Sequence, residues 1–582
     1  MASTTRTTIT VTVLPTKSGG QCLPYAEILP VPQGNDRELE CIPYGVDQTA
    51  EGVCLLMRMG SYRLLLDCGL RDISPLREVG TQWGGLPADL AICTHAHSDH
   101  ARGLLSLHQA FPQLPIYASE ATTQLLPLNW PEYRGDSSAK TLRDRIPLFC
   151  QALPWRTQVE LRPGLTAQLF PAGHLPGAAA FLLTYRTRQR TYSIFYTGDF
   201  FLSNSRLVEG LRLEEVRGLK PDVLIIEGSY GTARHPRRRT QENQLAQRIS
   251  NAIANGCSVL LPVPTLGLGQ ELLVLLRSHH QFTGRDLDIW VDERVAAGCD
   301  AYLELLPHLP AAVQNFAQHQ PLFWDERVLP RVRRLSGQES VASESPYILL
   351  VDGNGDVTEW QLPDPGPGLV LLSEDVNGSQ SFPSDLAIKV ETYLLSQHSD
   401  GPGTTQLIHN LRPQHVVFIH GSPSYLADLT GLEELYNRYH LHSPAPGTLV
   451  ELPIGETFLQ PAPPETTYEG ELLELETMVT ITLPEAIAGD RRWPNFADTG
   501  LVSTRWQGDE LVLRGVSQRE LLSGGTDPRV SLDLDCCGNC RYYRGHKCRN
   551  RVSPLYEFKV TPDGFCPVFE RMPISEKSEF DR

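Results

Sequence analysis

Seven residues constrain this chain more than any others: Thr94-His95-Ala96-His97-Ser98-Asp99-His100. The run follows Leu90-Ala91-Ile92-Cys93, an apolar stretch that reads as a buried strand, and precedes Ala101 to His108, which reads as the start of a helix. Three imidazoles and a carboxylate within six residues have lone pairs that converge. Holding them together without a cation is costly, whereas a chance cluster in a solvated turn needs no such support. A tight loop between strand and helix gives metal ligands a rigid base. Nitrogen and carboxylate oxygen donors suit zinc, and one such loop can serve two adjacent ions.

The fold must therefore carry ligand loops on one edge of a sheet, and other segments repeat that pattern. Gly52 to Met59 and Tyr62 to Asp67 flank Gly60-Ser61 as a hairpin with a glycine-led two-residue turn. Thr166 to Phe170 reads as a strand running into Pro171-Ala172-Gly173-His174. Thr191 to Tyr196 runs into Thr197-Gly198-Asp199, and His415 to Ile419 runs into His420-Gly421. Between them the pattern changes: Asp222 to Ile226, Ser258 to Leu261 and Asp288 to Val291 read as buried strands. They alternate with helical stretches from Thr240 to Asn255 and from Gln270 to Arg277. Alternating buried strands and helices predict a parallel α/β layer.

Length and composition set outer bounds. A chain of 582 residues suggests about four domains. With 41% hydrophobic and 20% charged residues it has ample core, and it has no uncharged apolar run of about 18 residues to span a membrane. The opening residues alternate Thr with Ile and Val, a strand pattern rather than a signal peptide, so a cytoplasmic location is expected. The formal net charge of -17 argues against a protein that coats nucleic acid, but not against a nuclease with a local basic groove. The segment Arg234-His235-Pro236-Arg237-Arg238-Arg239 reads equally well as a solvated lead-in to a helix or as a phosphate contact.

Eight of the thirteen cysteines lie between Cys22 and Cys299, mostly in apolar stretches, and read as small core residues. Five lie between Cys536 and Cys566. Cys537, Cys540, Cys548 and Cys566 form a four-ligand set for zinc or an iron–sulfur cluster, and His546 could replace one of them. Arg541, Arg544, Lys547 and Arg549 interleave with Tyr542 and Tyr543 there, which suits single-stranded nucleic acid. A docking surface for a protein partner or a second copy is the competing reading.

Seven segments, in order, resemble the motifs of the metallo-β-lactamase superfamily and, within it, the β-CASP nucleases. They are Asp67 in LLLDCG, the THAHSDH run, His174 in PAGHLPG, Asp199 in YTGDF, Glu227 in IIEGSYG, His398 in LLSQHSD and His420 in VVFIHGS. The resemblance covers roughly residues 9 to 458. It implies an α/β fold: an αββα sandwich with an inserted β-CASP domain, and a site in the cleft between them. The implied order is 1–208 for the first part of the sandwich, 209–385 for the insertion and 386–459 for the second part. A linker at 460–467, an accessory module at 468–530 and a cysteine-rich module at 531–582 follow.

The resemblance also implies residue roles. His95, His97 and His174 hold one zinc, Asp99, His100 and His420 a second, and Asp199 bridges them. A hydroxide between the ions is the implied nucleophile. His398 is the implied general acid, oriented by Glu227, while Asp67 supports the histidine loop. His97 stands where flavodiiron members have Glu, which favours zinc hydrolysis. A histidine at the position of His420 is associated with RNA substrates. The expected activity is thus hydrolysis of RNA phosphodiesters. A dinuclear hydrolase acting on DNA or a small phosphoester, and a non-cleaving binding scaffold, stay open as rivals. Two departures bear on substrate handling: Ser422 follows Gly421 where many members have Glu, and Leu268 stands where an Arg is usual.

Overall fold

The computed structural model describes residues 39–46, 52–130, 149–335, 345–353, 368–374 and 389–455. It also describes the strands Thr8–Thr12, Leu472–Leu475, Met478–Thr482, Val502–Gln507 and Glu510–Gly515, and residues 540–544, 547–553, 556 and 569–570. The chain divides into two compact units, one of residues Ala26–Ala462 and one of Met1–Tyr25 with Pro463–Arg582.

The larger unit is built on two seven-stranded sheets. In the first the strand order is 450–452, 39–46, 53–59, 62–66, 90–92, 116–119, 150–153. In the second it is 440–442, 415–419, 223–227, 191–196, 179–186, 165–171, 159–162. One core cluster draws Leu55, Met57, Leu64 and Leu66 from the first sheet and Leu169, Phe181, Tyr196, Ile225 and Val417 from the second. Leu56 and Leu65 join another cluster with Leu104 and Leu107 of the helix Leu104–Ala110. Strands covered on both faces need continuous apolar runs, which is why Leu64-Leu65-Leu66 and Val223–Ile226 do not alternate. The predicted hairpin is present, with Met59 opposite Tyr62 and Gly60 at φ 61° in its turn.

A third sheet has six strands in the order 331–334, 288–291, 348–352, 259–263, 369–373, 389–393, and every pairing in it is parallel. The helices Arg238–Ala254, Leu268–Ser278 and Glu293–Glu304 accompany it. It is an insertion in the strict sense. The chain leaves the second sheet after Glu227 and re-enters at His415, and those two strands lie side by side with Glu227 opposite Ile419.

Three strands lie outside the modules that the sequence assigns them to. Val223–Glu227, read as the head of the insertion, belongs to the sandwich, while Lys389–Tyr393, read as part of the resumed sandwich, is an edge strand of the inserted sheet. Thr8–Thr12, read as sandwich, pairs antiparallel with Met478–Thr482 in the smaller unit. Each assignment turns on a pairing partner far away in sequence. A buried apolar strand such as Val223–Glu227 looks the same in either sheet. The linker at 460–467 falls outside the described residues.

Candidate metal centre

Strand ends deliver the candidate ligands. Leu90–Ile92 lies parallel between Tyr62–Leu66 and Ile116–Ser119, so Asp67 and the histidine loop leave the same edge of one sheet. His174 and Asp199 follow strands of the other sheet, as do Glu227, the last residue of its strand, and His420. Asp67 and His420 both adopt left-handed backbone, with φ of 56° and 54°. Non-glycine residues occupy that region at a cost which the surrounding structure must hold. The chain passes so close to the histidine loop at Gly69 that an added Cβ would fall 1.6 Å from the Asp99 carbonyl oxygen.

Asp67 is fully buried and accepts four hydrogen bonds. Thr94 N donates to its Oδ1 at 2.7 Å. Thr94 Oγ1, His100 Nδ1 and Tyr196 Oη donate to its Oδ2 at 2.8, 2.8 and 2.6 Å. It thereby anchors the loop at its first residue and its last.

The metal-type side chains converge in three overlapping sets. His95, His97, His174 and Asp199 form the first, Asp99, His100 and His420 the second, and Asp199, Glu227, His398 and His420 the third, with ligand atoms within 4.8 Å of one another in each. Asp199 faces the first two. Its Oδ2 lies 3.4 Å from His95 Nε2 and 3.6 Å from His174 Nε2, while its Oδ1 lies 3.3 Å from His100 Nε2 and 3.2 Å from His420 Nδ1.

The protons decide whether a cation fits. His97 Nε2 lies 3.2 Å from the Leu266 carbonyl oxygen and His174 Nδ1 lies 2.9 Å from that of Gln397. A carbonyl only accepts, so both of these nitrogens donate. The opposite nitrogens, His97 Nδ1 and His174 Nε2, then face each other across 3.0 Å with lone pairs. His95 Nε2, His100 Nε2 and Asp199 Oδ1 are buried without a hydrogen-bond partner among the described residues. Backbone and carboxylate partners on the far ring nitrogens are the usual means of orienting metal-bound histidines. The donor set therefore fits divalent cations.

Electrostatics separates the first two sets. Burial, followed by the neighbouring His95, pushes His97 down to about 3. Burial also lowers His95 and His174, helped by His100 and His398 respectively. In the second set burial opposes charge on His420, but Asp199 and the hydrogen bond with Asp99 outweigh it and raise the ring to about 9. Burial opposes charge on His100 too, and Asp199 and Asp67 overcome it. Without metal, the histidines of the first set are neutral at pH 7 and those of the second carry protons.

In the third set, His398 Nδ1 lies 2.7 Å from Glu227 Oε2, and Glu227 Oε1 accepts from Phe200 N at 2.6 Å. The His398 ring is 4.5 Å, centroid to centroid, from that of His174. The structure thus brings all ten residues named in the motifs, from Asp67 to His420, into one region. It adds Ser229, whose hydroxyl bonds Glu227 Oε2 and lies 3.0 Å from His420 Nδ1. Ser229 fills the Ser/Thr position of the IIEGSYG motif, but the sequence alone assigns it no role. The backbone carbonyls of Leu266 and Gln397 have no sequence signature at all.

The two departures have local explanations. Ser422 caps the helix Pro423–Thr430 by accepting from Tyr425 N at 3.3 Å, and Leu268 is buried at the start of its helix. In the basic segment, Arg238 is drawn inward against Glu271 and Glu242, while Arg234, Arg237 and Arg239 are exposed. Of the four C-terminal cysteines, Cys540 and Cys548 are buried. Tyr543 pairs with Cys548 and donates its N–H to the Cys540 carbonyl. Cys537 and Cys566, like His546, lie outside the described residues.

Comparison with known proteins agrees with this geometry. Residues 62–252 match a beta-lactamase superfamily domain, and residues 385–438 match a Zn-dependent metallo-hydrolase RNA specificity domain. The chain is 50% identical over 558 residues to the uncharacterized protein sll0514 of Synechocystis sp., covering 92% of this chain and 97% of that one. It is 23% identical over 503 residues to Integrator complex subunit 11 of Gallus gallus, covering 77% and 78%. It is 27% identical over 240 residues to Probable RNase MJ4 of Methanocaldococcus jannaschii, covering 39% and 54%. The chain belongs to the metallo-β-lactamase superfamily and, within it, to the β-CASP family. Among the described residues no helix is long and apolar enough to cross a membrane.

Proposed function

We propose that this protein is a zinc-dependent ribonuclease that hydrolyses RNA phosphodiester bonds. The observation that carries the reading is the pair of donor sets that Asp199 faces from between, with the Glu227–His398 pair beside them. His95, His97 and His174 would hold one cation and Asp99, His100 and His420 the other, with Asp199 available to both. When bound, two such cations lower the pKa of water and neutralise charge on a phosphodiester.

The chain's own residues do the rest. Glu227 fixes Nδ1 of His398, which leaves Nε2 as the atom that passes a proton to the departing oxygen. RNA is favoured over DNA because the segment matching an RNA specificity domain, 385–438, contains both His398 and His420, and because one relative bears the name RNase. Cys540 and Cys548, with Cys537 and Cys566, are proposed to hold a further zinc or an iron–sulfur cluster. Metal analysis of Cys540→Ser against the parent tests that part.

The deciding experiment incubates the zinc-loaded protein with single-stranded RNA and with DNA of the same sequence. Cleavage of RNA, lost in His398→Ala with zinc content retained, is the expected result. Cleavage of DNA alone would replace the substrate class. Failure of a metal-replete protein to cut either would leave a binding scaffold.

A further inference from the structure

We propose that Ser229 is a positioning residue that selects which ring nitrogen of His420 is offered to the second cation. The inference rests on the two-cation reading above and adds a residue to it.

A serine hydroxyl has one proton to donate. Ser229 Oγ touches Glu227 Oε2 and also lies 3.0 Å from His420 Nδ1, 3.4 Å from His398 Nδ1 and 3.1 Å from the His420 carbonyl oxygen. Among these acceptors the ionised carboxylate makes the strongest bond, so the proton goes to Glu227. Oγ then has only lone pairs to show His420 Nδ1, and Nδ1 must be the nitrogen that carries hydrogen. Asp199 Oδ1, 3.2 Å from the same Nδ1, favours the same tautomer.

That choice fixes the other end of the ring. His420 Nε2 becomes the lone-pair nitrogen, facing Asp99 Oδ2 at 3.0 Å. Two acceptors that close are held together by a shared positive charge, either a proton or a cation. Ser229 thus does for His420 what Asp67 does for His100 and the Gln397 carbonyl does for His174. It also ties Glu227, which holds His398, to a ligand of the second set. Glu227 and His420 are each 1% exposed and Ser229 6%, so water is poorly placed to replace the hydroxyl.

The test is a zinc titration by chelator competition, without substrate, on the full chain and on Ser229→Ala and Ser229→Thr. The parent should bind two zinc ions at the histidine cluster. Ser229→Ala should weaken the second by roughly 10–100-fold and spare the first, the scale usual for a partner of a metal-bound histidine. Ser229→Thr, which keeps the hydroxyl, should restore it. Two ions bound by Ser229→Ala as tightly as by the parent would overturn the role of Ser229 while leaving the two-cation reading intact. A parent that binds fewer than two at the cluster would overturn that reading and this inference with it. Where Ser229→Ala fails to fold, imidazole nitrogen NMR on the zinc-loaded parent decides the matter, with His420 assigned from His420→Gln. Hydrogen on Nδ1 with zinc on Nε2 supports the inference, and the opposite tautomer overturns it.

Discussion

Asp67 Oδ2 lies 2.8 Å from Nδ1 of His100, and both side chains are fully buried. This one contact links the end of the strand Tyr62–Leu66 to the last residue of the histidine loop, and the same carboxylate holds Thr94 at the loop's start. Asp67→Ala removes the acceptor from four buried donors at once. Breaking a buried charged network by deleting one partner costs about 3–5 kcal/mol, which for a unit as large as Ala26–Ala462 corresponds to a fall in unfolding midpoint of about 3–5 °C. His100 also loses its orientation, so the second zinc should bind more weakly. Calorimetry of the metal-free protein and zinc titration check the two effects. A variant that unfolds at the parent temperature would show that Asp67 is not the anchor of the loop.

What could be read in advance follows from how local each signal is. The histidine loop, His174, Asp199 and His420 are legible because each stands where an apolar strand ends, and strands of four to eight residues declare themselves by composition. The hairpin around Gly60 is legible for the same reason. Ownership of Val223–Glu227, Lys389–Tyr393 and Thr8–Thr12 is not, because it depends on partners far along the chain. The carbonyls of Leu266 and Gln397 are invisible as well, since every residue has a carbonyl and only the fold aims one at a ring. Ser229 is an intermediate case: its motif was visible, and its triple contact was not.

The opposite pKa shifts predict stepwise metal loading. His95, His97 and His174 are held below the ordinary histidine value, so between pH 7 and 8 they have no proton to lose and the first zinc binds with little pH dependence. His100 and His420 are held above it, so the second zinc must displace their protons. Its log affinity should rise by up to about two per pH unit while both rings remain protonated, the His420 contribution fading near pH 9. The same raised value has a stability consequence in the metal-free chain. The contribution of His420 is fully present below about pH 6.5, its unfolded value, and is lost as pH rises through about 9. Chelator competition at pH 6.5, 7.5 and 8.5 checks the loading. Two steps with equal pH slopes would contradict the assignment.

Glu227 and His398 should separate from the metal ligands in a rate assay. Burial opposes ionisation of Glu227, but the charge of His398 outweighs it and holds the carboxyl below its ordinary value. The ionised carboxylate favours the protonated ring. Removing the charge in Glu227→Gln should slow RNA cleavage and move the alkaline limb of its pH profile to lower pH. His398→Ala should lose about 10²–10⁴-fold in rate, the usual range for a general acid, and its profile should lose that limb. Both variants should keep their zinc. Unchanged profiles would remove His398 from the proton path.

Gly267 carries the last prediction, because the inserted domain reaches the first ligand set there. The residue precedes the helix Leu268–Ser278 with φ 93° and ψ −94°, a conformation that side chains rarely adopt. An added Cβ would lie 3.3 Å from Gln397 Nε2 and 3.5 Å from His97 Nε2. Its neighbour Leu266 supplies the carbonyl that orients His97. Gly267→Ala should strain the turn by roughly 1–3 kcal/mol and pull that carbonyl away, which frees the His97 ring to turn. Zinc titration should then show the first ion weakened and the second nearly unchanged, the reverse of the pattern expected for Asp67→Ala. The paired titrations read the two sets independently. Equal weakening of both ions in Gly267→Ala would mean that the turn supports the cluster as a whole rather than His97.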